Sequence, residues 1–180
     1  MAAANKYAKI APAAPHAQHM PSHIYSMVGM WEASIASNLA SIAVAKEYAE
    51  KSKLDGVLAG VPHAYDFMQY AYLQLGQEAK AKATIEVNAT IQKVVGPQLV
   101  RMGQAAVPAR YMLERQDWRG AAQLKPLGLA IPPAEAVTHF ARALGAARSG
   151  DDAGSTPTDR RWSGHRANRQ HQPHCSALGA

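Results

Sequence analysis

A chain of 180 residues that is 48% apolar is neither disordered throughout nor large enough for several domains; it has room for one domain with a core, and a tail. Aromatics at 7% beside abundant Ala lean the reading towards helices that approach closely, an all-α fold. The charge of +6 is spread along the chain rather than gathered in a basic arm, so no nucleic-acid partner is expected, and Cys175 as the single cysteine excludes an internal disulfide and zinc-finger spacing.

Residues 2–10 read as a short Ala-rich helix stopped by Pro12 and Pro15. A Pro-rich loop follows, and Pro21 sits well as the first residue of a helix, where its missing N–H would be unpaired in any case. Met20, Ile24, Met27, Val28 and Trp31 give that helix its apolar stripe, and Gly29 permits a tight turn. A second helix is predicted from Trp31 to Lys51 with Ile35, Leu39, Ile42 and Ala45 on its inner face. Ser52 to Gly60 reads as a loop, and Pro62 opens a helix with Ala64, Phe67, Met68, Ala71 and Leu75 as its stripe, closed by Gly76.

The next predicted helix runs from Gln77 to about Val95, with Ala81, Ile85, Ile91 and Val95 inward, and Gly96-Pro97 stops it. Gln98 to Gln116 is helical by pattern, with a kink or a restart expected at Pro108. Asp117 is placed to cap a short helix from Trp118 to Leu124. After a Pro-rich loop, Ala134 to Arg148 forms a last helix with Val137, Phe140, Leu144 and Ala147 as its stripe. From Gly150 the periodicity ends. The domain is therefore 1–149, and the Arg- and His-rich stretch 150–180 is expected to be a disordered tail. No apolar run reaches the roughly 18–20 residues of a membrane span, and the N-terminus lacks the pattern of a signal peptide, so a cytoplasmic location is expected.

Three of the eight histidines, His16, His19 and His23, fall beside the first hairpin, three and four residues apart. Imidazole is the commonest zinc ligand, but Pro21 puts His23 in the first turn of a helix and His19 before it, and no acidic residue supplies a His-Glu-x-x-His arrangement. His63 and Asp66 head the next hairpin and meet His23 if the hairpins lie in register. His19, His23, His63 and Asp66 are thus the candidate metal ligands, against the plainer reading of histidines that bond to backbone at helix starts. His16, Tyr70 and Arg110 join these four as candidate partner-binding residues. Tyr72 and Tyr111 read as packing residues, and His139 as a core or interface histidine. The tail's His171-Gln-Pro-His174-Cys175 imitates half of a metal clip. No Gly-x-Ser-x-Gly elbow and no phosphate-binding glycine loop is present, so no catalytic residue and no cofactor is assigned.

The helices come in pairs, and the turns repeat. Tyr25, Gly29 and Ser34 can be laid on Tyr72, Gly76 and Ala81, and more loosely on Met112, Gln116 and Ala121. These segments resemble the tetratricopeptide (TPR) family, whose aromatic, glycine and small residue set two helices of a hairpin together. Asn38 and Ser41 depart from it, standing where the family's second helices carry apolar residues. Residues 14–24, 63–67, 108–111 and 138–145 are also similar to segments of uncharacterised bacterial TPR-like proteins.

The resemblance implies antiparallel hairpins stacked as a short right-handed solenoid, and a scaffold binding a protein or peptide on its concave face. Proteins of that group look longer on the N-terminal side and continue past the equivalent of Gly150 with another helix. A truncated chain, with a frameshifted or divergent end, is the corresponding expectation, and with it a fragment without a function of its own that self-associates through uncapped ends. The remaining alternative is a metal-dependent or enzymatic protein built on the histidine edge.

Overall fold

The structure is a computed structural model that describes residues 2–128 and 131–150; the predicted tail lies outside the described residues. Nine α-helices carry the described chain, so the all-α expectation holds. They are α1 (Ala2–Ile10), α2 (Pro15–His19), α3 (Pro21–Met27), α4 (Trp31–Lys51), α5 (Gly60–Gln74), α6 (Glu78–Ala89), α7 (Met102–Glu114), α8 (Trp118–Ala122) and α9 (Pro132–Ser149). No helix among them is long and apolar enough to cross a membrane.

Three hairpins, α3–α4, α5–α6 and α7–α8, turn through the same elbow. Each first helix ends on a residue of positive φ: Gly29 at 73°, Gly76 at 68° and Gln116 at 55°. One residue on, the backbone N–H of Met30, Gln77 and Asp117 returns to the carbonyl of Tyr25, Tyr72 and Met112 at 2.8, 2.8 and 2.9 Å. This six-to-one bond is that of a Schellman motif, which satisfies a carbonyl the helix end would leave open. The second helix restarts immediately, and the small residue five positions beyond the elbow (Ser34, Ala81 or Ala121) is fully buried. Among the described residues only Asp117 caps its helix with a side chain, accepting from Gly120 N–H at 2.9 Å, as its position before Trp118 predicts.

Each hairpin packs within itself: α3 on α4, α5 on α6, α7 on α8. Each second helix also packs on the first helix of the next pair: α4 on α5, α6 on α7, α8 on α9. The first helices lie side by side, α3 on α5, α5 on α7 and α7 on α9. Very close approach is built into two of these contacts. A Cβ on Gly103 of α7 would lie 2.4 Å from the Pro62 carbonyl oxygen of α5, and one on Gly145 of α9 would lie 2.5 Å from the Trp118 carbonyl oxygen.

The structure corrects several of these expectations. The Pro-rich loop before Pro21 contains a helical turn, α2, opened by Pro15. Met20 between α2 and α3 is itself right-handed helical (φ −53°, ψ −36°), so the chain keeps nearly to a helical path from Pro15 to Met27. Helix α6 ends at Ala89 rather than near Val95. The residues after it extend, and Val94–Val95 (β2) pair in parallel with Val57–Leu58 (β1) from the stretch predicted as loop.

Pro108 does not restart the helix: α7 is unbroken from Met102 to Glu114. Pro108 has no N–H for the Gln104 carbonyl four residues back, and the buried Asn88 side chain of α6 donates to that carbonyl instead, at 3.0 Å.

On α4 the predicted Ile42 and Ala45 are buried but Ile35 is only half-buried and Leu39 is not inward at all, and the stripe of α9 is not the predicted one. Leu39 is 49% exposed, while Ser34, Asn38, Ser41, Ile42 and Ala45 are buried. On α9 the buried residues are Ala134, Thr138, Ala141, Gly145 and Ala146; Val137, Phe140 and Leu144 are half-buried, and Ala147 is exposed. In both helices small residues take the tightest contact and the bulky ones flank it.

Candidate functional site

Three helices bring three imidazoles together. His19 ends α2, His23 stands in the first turn of α3, and His63 stands in the first turn of α5. Because Met20 keeps the helical path, His19 and His23 face one another one turn apart despite Pro21. Their Nε2 atoms are 3.0 Å apart. The packing of α5 on α2 and α3 brings the His63 ring centroid to 4.6 Å from that of His19 and 6.0 Å from that of His23. One nitrogen from each of the three rings lies within 4.8 Å of the others. Phe67, one turn along α5 from His63, sets its ring edge-on against all three, at 4.7 to 5.1 Å between centroids.

Asn38 of α4 settles the state of His19. Its amide nitrogen donates to the Ser34 carbonyl at 2.8 Å, so its oxygen faces His19 and accepts from Nδ1–H at 2.6 Å. The Nε2 of His19 then carries a lone pair, and in the 3.0 Å contact the Nε2–H of His23 donates to it. Asn38 is fully buried, and so is His19 but for 3%. Burial lowers the His19 pKa most; the bond to Asn38 opposes this, and the neighbouring His63, His23 and His16 lower it further, to about 4. His23 and His63 are lowered as well, burial again coming first. At neutral pH the cluster is three uncharged imidazoles.

Asp66, the fourth candidate ligand, is turned away to another partner. Arg110 of α7 grips it through Nε and Nη2 at 2.6 and 3.1 Å, a two-bonded fork in a largely buried setting. The guanidinium of Arg110 lies 5.1 Å from the centroid of the Tyr70 ring, and Tyr70 meets Trp31 edge-on at 5.5 Å. Asp66, Tyr70 and Arg110 thus form one unit tying α5 to α7, beside the histidines rather than among them. His16 is exposed, its ring 6.1 Å from that of His19. Tyr72 is half-buried against the core of α4 and α5, and Tyr111 is buried with its hydroxyl between Glu78 and Arg115. His139 is half-buried on α9. The His171–Cys175 clip lies outside the described residues.

A cavity of about 770 Å³ opens beside the cluster. His16, His19, His63, Asp66 and Arg110 share its lining with an apolar wall that includes Leu58, Val95 and Met102. On the other side of the Asp66–Arg110 pair, a smaller cavity of about 360 Å³ is lined by His23, Phe67 and Tyr70. In the sequence Asn38 shows only as a departure from the repeat pattern. A wholly buried amide on an inner stripe needs a partner, and that need was the signal pointing to His19. No protein-family model, no curated protein and no solved structure matches the chain.

Proposed function

We propose that the chain is a TPR-like helical repeat that holds an apolar segment of a partner protein in the cavity beside α5 and α7. The observation that carries this reading is the regular packing order. Each hairpin packs within itself, each second helix packs on the next first helix, and the first helices lie side by side. A solenoid of helix pairs makes contacts of this order, and its first helices line a binding surface. The three matching elbows give each pair the same internal geometry. The wall formed by Leu58, Val95, Val100, Met102 and Ala106 suits aliphatic or aromatic side chains, and His16 and His63 supply polar contacts beside it.

Panning a random peptide library against the full chain tests this reading. The expected result is enrichment of peptides sharing two or more apolar anchor residues. Fluorescence anisotropy of the best peptide should then weaken at least tenfold in Ala106→Phe, which fills the cavity from α7, while circular dichroism stays helical. No enrichment, or binding indifferent to Ala106→Phe, sinks it.

A further inference from the structure

We propose that His19, His23 and His63 form a metal site for zinc or a similar divalent transition ion. The geometry fits the ion's demands. Zinc–imidazole bonds of about 2.0–2.1 Å in a tetrahedral arrangement set ligand nitrogens about 3.3 Å apart. The Nε2 atoms of His19 and His23 are at 3.0 Å, and a nitrogen of His63 completes a group within 4.8 Å; binding moves the His23 proton from Nε2 to Nδ1, so that both Nε2 lone pairs face the ion. His19 donates its other nitrogen to the buried Asn38 amide oxygen, the supporting bond that metal-binding histidines typically make to fix ring and tautomer.

The nitrogens of His63 are available to an ion. Among the described residues this histidine has ring contacts with His19, His23 and Phe67, yet no protein group hydrogen-bonds its nitrogens. The imidazoles are held uncharged, the form that coordinates, and Phe67 shields one side of the group. Asp66, bound by Arg110, is not a ligand. Three neutral donors leave the ion its full charge and a fourth position for water or a donor atom of the cavity's occupant, since His19 and His63 both line the cavity. This site does not depend on the repeat reading or on a peptide partner.

The test titrates the chelator-stripped full chain with Co²⁺ and then competes with Zn²⁺. One Co²⁺ per chain, with the visible bands of a four-coordinate site that Zn²⁺ abolishes, is expected. His63→Ala should lose those bands and weaken binding at least 100-fold. Asn38→Ala, which touches no ion, should weaken it about 10- to 100-fold. The triple variant His171→Ala, His174→Ala, Cys175→Ser should bind as the native chain does. Should His63→Ala lose its helical circular dichroism, His23→Ala, at the less buried ring, is held to the same standard. Absence of binding at micromolar metal, bands that survive in the ring variant, or bands lost in the tail variant would each overturn the proposal.

Discussion

The first and last parts of the fold achieve close helix contact with opposite chemistry. Where α4 meets α2 and α3, the buried surface is polar: His19, Ser22, Ser34, Asn38 and Ser41. It is held by hydrogen bonds, from Ser37 to the Gln18 carbonyl at 2.5 Å, from Ser41 to the Pro15 carbonyl at 2.8 Å, and between Ser26 and Ser34 at 3.0 Å. Where α9 meets α7 and α8, the buried surface is mostly small residues, Ala105, Ala121, Ala122, Ala134, Ala141 and Gly145, with Ile131 and Thr138 among them. A tight fit is available to either design. The polar one fixes side chains in direction and protonation state, which is why the imidazole group sits in it. The small-residue one fixes only distance.

The largest effect should come from breaking the second design. Gly145→Ala places a methyl group 2.5–2.6 Å from backbone atoms of Trp118 and Ala122; at the neighbouring α5–α7 contact, Gly103→Ala does the same against Pro62 and His63 at 2.4–2.6 Å. Backbone cannot yield as a side chain can, so each should cost about 3 kcal/mol or more in urea unfolding. Ser34→Ala, at the corresponding tight point of the polar design, should cost only about 1 kcal/mol. Equal costs at Gly145 and Ser34 would erase the distinction.

The polar design should instead be sensitive to acid. His19 has a folded pKa of about 4 against an ordinary value of 6.5. The unfolded chain therefore binds the proton first. Stability is fully present above pH 6.5, falls as pH drops through that value, and has lost its full share once pH passes below about 4. The loss should be on the order of 3 kcal/mol in metal-free protein, and His23 and His63 act in the same direction. Urea midpoints across this range should fall more steeply for the native chain than for His19→Gln; parallel curves would contradict the buried neutral imidazole.

Between the two designs lies the Asn88–Gln104 bond. Asn88→Ala should cost about 1–2 kcal/mol by leaving the Gln104 carbonyl without a donor. In a Pro108→Ala background the restored N–H can serve that carbonyl, so the same change should cost well under half as much. Additive costs in the double-mutant cycle would show that Asn88 does not stand in for the missing N–H.

The elbows and helix starts were legible because they depend on local chemistry. Gly29 and Gly76 mark left-handed turns, Pro21 marks a first turn and Asp117 marks a cap. Gln116 marks its turn less clearly, since a non-glycine residue in that conformation shows only by alignment with the other two. Half of the α4 stripe and all of the α9 stripe are hidden from a reading by size, because in these helices size does not report burial. In helices this close mostly Ser, Ala, Gly or a hydrogen-bonded Asn fits at the contact line, with Ile42 and Thr138 beside them, and Leu39 or Val137 is pushed to its side.

The site was half legible. The spacing of His19, His23 and His63 with hairpins in register anticipated their meeting, although a break at Pro21 had argued against the first pair. The capture of Asp66 by Arg110, forty-four positions away, follows from how α7 lies on α5. No local pattern reports that.

The pairing of β1 with β2 is only two residues long on each side, yet it changes what the α5–α6 hairpin can do. Val57 and Ala59 donate their amides to the Lys93 and Val95 carbonyls at 2.9 and 2.8 Å, and Lys93 pairs with Asp55 beside them. A hairpin joined only at its elbow is free to splay at its open end; this one is clasped there, so residues 57–95 form a closed ring of chain. Leu58 and Val95, on the clasp itself, are also part of the cavity wall. The clasp thereby holds this part of the wall in place, and loosening it alters the cavity as well as the hairpin. Amide exchange at Val57 and Ala59 would report how firmly the clasp is closed.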